Sequence, residues 1–171
     1  MMRVMVDIET LGLERGAAIL SIGAVKFDTD TIGGTFEASI SRESCEAAGL
    51  TVDEDTLEWW QDQSDAAREA LDGGDALEDV LQDFSLWAGG ADEVWANSPS
   101  FDCEMLIEAG KAVGVSMPWE FYEERDVRTL KSLPVAPELE HDGVEHDALD
   151  DAIHQVRLVQ ATLRRLEDSD V

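Results

Sequence analysis

Asp7 and Glu9 stand two residues apart in the run VMVDIET, where Val4, Val6 and Ile8 alternate with Met5, Asp7 and Glu9 in the period of a half-buried β-strand. Alternate residues of a strand leave the same face, so the two carboxylates project together from Cα atoms about 6.5 to 7 Å apart. Paired oxygen ligands of this kind suit hard divalent cations, and one carboxylate can bridge two ions about 3.5 to 4 Å apart, as in phosphodiester-cleaving enzymes. The apolar approach sharpens the reading, because charges at the buried end of a strand are costly unless a cation or partner neutralises them. The triplet alone is not selective. D-x-E occurs twice among 171 residues of which 39 are acidic, at Asp7 and again at Asp102, and a strand terminus can also leave its acids in solvent.

A second group lies near the C-terminus, in HDALDDA at residues 146 to 152. Asp147 is placed to cap a helix, Asp151 lies one turn further in, and His146 precedes the helix. From there an imidazole can swing over the helix start toward Asp151, where a base could take a proton from a metal-bound water. Acids at a helix N-terminus are favoured by its dipole in any case, which gives Asp147, Asp150 and Asp151 an ordinary structural explanation; the same holds for Asp102 in the first turn of its helix. No G-x-S-x-G, Walker A, H-E-x-x-H or paired C-x-x-C motif is present, and Cys45 and Cys103 lack metal-ligand spacing.

The elements that must position these groups follow from periodicity. Residues 3 to 9 form a first strand, and residues 17 to 28 and 33 to 40 read as the arms of an antiparallel hairpin. From Asp53 to Leu86 the spacing of Leu57, Trp60, Ala67 and Leu71, then Leu77, Val80, Leu81 and Phe84, predicts two or three helices broken at Gly73 and Gly74. DEVWA (92 to 96) is a strand leading through NSPS into the helix FDCEMLIEAGKAV, and DVRTLKSL reads as a short helix stopped by Pro134. Leu149, Ile153, Val156, Val159, Leu163 and Leu166 mark one apolar face of a final helix over residues 147 to 166. The order predicts a single α/β domain over residues 1–171, with a mixed central β-sheet flanked by helices.

Composition sets the surroundings. Twelve Lys and Arg against 39 Asp and Glu give a formal net charge of −27, spread through nearly every segment. Self-repulsion on that scale points to a high-salt, halophilic setting, where the Debye length falls to about 3 Å. A conventional basic nucleic-acid patch is not visible. No long apolar run or signal-peptide pattern appears, so the expected location is the cytoplasm, without membrane contact, and the two cysteines are expected to be reduced.

Taken in order, DIET, then FD at a helix start, then H-x-x-x-x-D resemble the DEDDh 3′-to-5′ exonucleases of the DnaQ-like, ribonuclease H-like superfamily. TLEWWQDQSDAAR (56 to 68), RDVRTL (125 to 130) and HDALDDAIHQ (146 to 155) are similar more specifically to phage DexA-type exodeoxyribonucleases and their exoribonuclease relatives. The resemblance implies a ribonuclease H-like fold and two divalent cations, Mg²⁺ or Mn²⁺. It implies that Asp7 bridges them, that Glu9 and Asp151 complete one site, that Asp102 holds the other, and that His146 is the general base. By the same resemblance the partner is the 3′ end of single-stranded DNA or RNA, the product is nucleoside 5′-monophosphate, and a homodimer is one expected assembly. Thr10 through its backbone and Leu11 as an apolar wedge would contact the terminal nucleotide.

Of the family-like pair Trp59 and Trp60, about 100° apart on a helix, one is expected in the core and the other free to stack on a base. Arg128 could meet a phosphate or pair with one of the many carboxylates. Two other readings compete: a catalytically silent nucleic-acid- or protein-binding module on the same fold, and an acidic interaction protein that mimics nucleic acid. The charge itself generates a prediction. With so little basic surface, the activity that the resemblance implies should hold or rise toward molar KCl, opposite to the usual loss of nucleic-acid affinity with salt; a steady decline from about 0.1 M upward, with the fold intact by circular dichroism, would contradict it.

Overall fold

The computed structural model describes residues 1–63, 71, 73–144 and 146–169. Its centre is a five-stranded mixed sheet in the order β3-β2-β1-β4-β5. The strands are β1 (Arg3–Thr10), β2 (Ile19–Phe27), β3 (Ile32–Ser39), β4 (Glu93–Ala96) and β5 (Glu124–Asp126). β1 pairs antiparallel with β2 and parallel with β4, and β5 runs parallel to β4. The helices are α1 (Arg42–Ala47), α2 (Glu54–Gln61), α3 (Leu77–Ala88), α4 (Asp102–Val113), α5 (Val127–Lys131) and α6 (Ala148–Ser169).

Alternation along β1 divides the core. Val4, Val6 and Ile8 join Leu81, Phe84, Met105 and Leu106 on one side of the sheet, while Met5 joins Trp95, Val127, Val156 and Val159 on the other. Both faces are therefore covered, and β1 is buried on both sides along its first half instead of half-buried as alternation predicts. Two short elements escape the periodicity argument, α1 and β5, because six residues hold less than two helical turns and three residues less than two strand periods. The α5 segment is helical only over Val127–Lys131. Of the helical stretch expected between Asp53 and Leu86, α2 and α3 are present, Leu71 packs on the core, and Ala67 lies outside the described residues. The expected break falls where predicted, with Gly73 and Gly74 both at positive φ.

One pairing decides how the two acidic segments meet. In the antiparallel ladder Asp7 stands opposite Gly23 and Glu9 opposite Ser21, so the acids share their sheet face with two small residues. A Cβ at position 23 would stand 2.1 Å from the backbone at Ala148 and Leu149. The start of α6 thus rests directly on β2 beside Asp7, an approach that only glycine permits. Gly23→Ala should cost about 1–3 kcal/mol by forcing backbone apart, and should weaken Mn²⁺ binding by moving Asp151 away from Asp7. Gly34→Ala, where no atom lies within 4 Å of the added Cβ, should stay within about 0.5 kcal/mol of the parent. Equal melting temperatures for the two variants would show that the contact is not limiting.

Candidate active site

Asp7, Glu9 and Asp151, all partly exposed, each offer a carboxylate oxygen within 4.8 Å of the others. A bulge in the β1–β2 register between Glu9 and Thr10 turns the strand just past the pair. Asp151 comes from the first turns of α6, whose start is fixed by the Asp147 side chain accepting from the Leu149 and Asp150 N–H groups at 3.1 and 3.0 Å. The Asp150 carboxylate turns back to accept the Val144 N–H at 2.8 Å, so it holds the preceding loop. Of the acids in HDALDDA, two therefore build the helix start and one joins the cluster. Asp102 is buried at the start of α4, and its charge acts on both Asp7 and Glu9. The second D-x-E triplet does not form a pair of this kind, since Glu104 bonds Arg15 at 3.2 Å.

The electrostatics are those of like charges pressed together out of water. Burial first, then Asp102, Glu9 and Asp151, drive the Asp7 carboxyl well above the usual carboxylate range, while a hydrogen bond from Gln155 pulls it partly back. Burial, Asp151, Asp102 and Asp147 raise Glu9 to about 8. Burial lifts Asp102 to about 7, against the opposing pull of nearby backbone amides and Arg128. A cluster of hard oxygen donors held at this electrostatic cost fits divalent cations, whose charge would reverse each of these shifts.

Two polar side chains that spacing arguments did not single out complete the cluster. Gln155, one turn beyond Asp151 on the same face of α6, donates from Nε2 to Asp7 Oδ1 at 2.7 Å, and its own Oε1 is buried without a partner among the described residues. The i, i+4 relation to Asp151 was the available signal, masked by the apolar Val156 and Val159 around it. His141 lies 2.6 Å from Asp151 through Nε2, and its Nδ1 accepts the Gly143 N–H at 3.2 Å, which assigns the proton to Nε2. No spacing signal marks a histidine ten residues upstream in a loop. The expected approach of His146 to Asp151 is thus taken by His141. With its backbone in the left-handed region at φ 66°, His146 packs edge-on against Trp59 with ring centroids 4.9 Å apart.

A cavity of about 800 Å³ adjoins the acids, lined by Glu9, Thr10, Leu13, Thr56, Trp59 and Phe101 among others. The adjacent tryptophans divide as helical geometry requires: Trp60 is 2% exposed and donates to the Thr10 carbonyl at 3.0 Å, while Trp59 is 43% exposed on the cavity wall. Thr10 lines the cavity too, its hydroxyl tied to the Gly12 carbonyl at 2.7 Å. Leu11 is corrected by the structure. Its side chain is 0% exposed in the core and cannot serve as a wedge, whereas Leu13, 77% exposed, stands at the cavity. Of the two leucines flanking Gly12, the second is the one that faces the cavity.

Two central-strand acids, a buried acid opening a helix and a fourth acid on the C-terminal helix stand on a five-stranded sheet of the ribonuclease H-like fold. The chain belongs to the 3′-5′ exoribonuclease Rv2179c-like domain family, whose sequence pattern matches residues 2–163. It is 24% identical over 203 aligned positions to the exodeoxyribonuclease of Enterobacteria phage T4, covering 93% of this chain and 88% of the phage protein. The fold is similar to the nuclease domain of 3′hExo, a DEDDh family member bound to rAMP, with a TM-score of 0.67, 15% identity and coverage of 95% and 92% of the two chains. It is also similar to exonuclease X in complex with 5′-overhanging duplex DNA (TM-score 0.60, 17% identity, 95% and 91% covered). A third similar structure is S. pombe Pop2p with Mg²⁺ and Mn²⁺ bound (TM-score 0.64, 13% identity, 92% and 81% covered). Among the described residues no helix is long and apolar enough to cross a membrane.

A carboxyl whose folded pKa lies above its unfolded value binds more protons folded than unfolded, so the fold loses stability as pH rises from the unfolded value through the folded one. With Glu9 at about 8 and Asp102 at about 7, the metal-free melting temperature should fall between pH 5 and about pH 8.5. Added Mg²⁺ should raise it more at pH 8 than at pH 6, since cation binding must displace those protons. Glu9→Gln should flatten the metal-free slope. Calorimetric scans showing a flat pH profile in the parent would contradict the assignment of these shifts.

Proposed function

We propose that this domain is a divalent-metal-dependent 3′-to-5′ exonuclease that removes terminal nucleotides from single-stranded RNA or DNA as nucleoside 5′-monophosphates. The observation that carries the reading is the convergence of Asp7, Glu9 and Asp151, with Glu9 also lining a cavity walled by Trp59 that is large enough for a nucleotide. Asp7, Glu9 and Asp151 would hold one cation, and Asp7 with Asp102 the other. When bound, the pair of ions supplies a nucleophile from water at neutral pH and stabilises charge on the phosphate and the leaving 3′ oxygen.

The chain's own residues do the rest. Trp59 and Leu13 take the terminal base between an aromatic face and an apolar side chain, and the Thr10 backbone orients the sugar beside Glu9. His146 accepts the proton of the attacking water as general base. His141 and Gln155 each occupy one oxygen of a cluster carboxylate, Asp151 and Asp7 respectively, leaving the second oxygen of each for a cation. The chemistry uses one domain formed by the whole chain. The family description favours RNA and the phage relative DNA, so both belong in the test.

The experiment is a time course on matched 5′-labelled RNA and DNA single strands with Mg²⁺, with Mn²⁺ and with EDTA, in molar KCl. A ladder shortening from the 3′ end, abolished by EDTA, is the expected result, and the faster ladder names the substrate. Asp7→Ala and Asp151→Ala should abolish turnover without lowering the metal-free melting temperature, because each also removes repulsion. His146→Ala should slow turnover by about 10² to 10⁴. Intact strands in the presence of folded protein and both metals would favour a catalytically silent binding module instead.

A further inference from the structure

A domain with net charge −27 that acts on a polyanion must hold its substrate through specific local groups, and the distribution of its few cations identifies two of them. Arg3, Arg15, Arg42, Lys111, Arg125 and Arg157 each have a carboxylate within 4.0 Å. Arg128 and Lys131, both exposed on the five-residue helix α5, have no ion pair among the described residues. The nearest acid in sequence, Asp126, is already committed: its oxygens accept the Arg128 N–H at 2.9 Å and the Thr129 hydroxyl at 3.1 Å. Lys26, half-buried, also has no carboxylate partner among the described residues but sits over the Trp87 ring at 4.8 Å, whereas Arg128 and Lys131 are exposed, with acids outnumbering bases more than threefold in the chain.

Their position gives this meaning. β5 ends at Asp126, paired with Ala96 of β4, so α5 begins at the same sheet edge from which the 97–101 loop leads to Asp102. Arg128 is near enough for its charge to act on Asp102. Lys131, one turn along, acts on His154, whose ring lies 4.8 Å from His141, the partner of Asp151. The helix that carries the pair thus lies between the β4 end that leads to Asp102 and α6, against which its Val127 and Leu130 pack. Residues three apart on a helix share a face with Cβ atoms about 5 to 6 Å apart, so both charges can address one strand.

We propose that Arg128 and Lys131 form a phosphate rail that binds the backbone of a single strand on the 5′ side of the bond being cut. This rests on the exonuclease reading of the acid cluster and adds to it the direction in which the strand leaves. A charge rail carries no base preference, since phosphate contacts position a strand without reading it. It acts only on substrates long enough to reach it.

The test compares KM for a 5′-labelled single-stranded ten-mer with KM for a dinucleotide of the same 3′ sequence, at low salt and saturating Mg²⁺. In the Arg128→Gln, Lys131→Gln double variant the ratio of the two KM values should shift about tenfold toward the dinucleotide, with kcat on the ten-mer changed by no more than about twofold. Arg128→Lys should restore most of the ratio, because a rail needs charge more than fork geometry. Lys111→Gln, an exposed base on α4 paired with Glu108 at 2.7 Å, should leave it unchanged. A double variant with the parental ratio, whether both substrates suffer equally or neither does, would overturn the rail while the parent's cleavage still supports the exonuclease. Failure of the parent protein to cleave either substrate would overturn both.

Discussion

Repulsion among carboxylates is the interaction around which this domain is arranged. Asp7, Glu9 and Asp151 would separate if free to do so, and Asp102 adds a fourth charge from beneath them. They are held because each is fixed by an element that cannot yield cheaply. Two ride on the central strand, paired there with β2 just beyond the point where the β4 ladder ends at Met5; one opens a helix packed on the Val4-bearing core; one lies on a helix pressed against β2. The cost appears as raised pKa values, protons retained where cations would sit. A metal-free site of this kind is a partly protonated one, and loading it exchanges protons for cations.

Gly23 ties that electrostatic arrangement to the sequence. Had β2 carried any side chain opposite Asp7, α6 would stand further from the sheet, and Asp151 would miss the acids of β1. The same close approach brings Gln155 onto Asp7 and leaves the loop before α6 to supply His141 and His146. In the proposed reaction these histidines would divide their tasks by position. His141 is bonded to a cluster carboxylate and is not free to accept another group at Nε2, whereas His146 rests on an aromatic wall with its ring nitrogens uncommitted among the described residues. Only the second has the freedom that proton transfer requires.

Much of this was legible before any coordinates. Strand alternation placed Asp7 and Glu9 on one face, and the five-turn apolar stripe placed α6; the ordered D-x-E, FD and H-x-x-x-x-D motifs tied the acids to a known class. What escaped did so for physical reasons. α1 and β5 are too short to repeat their own period. Leu11 and Leu13 differ only in which side of the Gly12 turn they fall, a distinction set by three-dimensional path and not by residue type. His141 approaches Asp151 through a loop, where no periodicity relates sequence distance to space. Gln155 was visible in principle at i+4 from Asp151, but a lone amide on an apolar stripe carries little weight until its partner is known.

The acid excess has opposite consequences at the surface and in the site. Exposed carboxylates repel a nucleic acid only within a Debye length, about 8 Å at physiological ionic strength and about 3 Å in molar salt. Screening therefore removes most of the long-range barrier to a polyanion, while the cluster carboxylates, within 4.8 Å of one another, interact at distances that screening weakens far less. The proposed stacking of a base on Trp59 is not electrostatic and would survive high salt. Local contacts at the cavity and at the metal-binding acids can then dominate over the net charge, so an acidic domain and an anionic substrate are compatible once recognition is confined to distances shorter than the screening length.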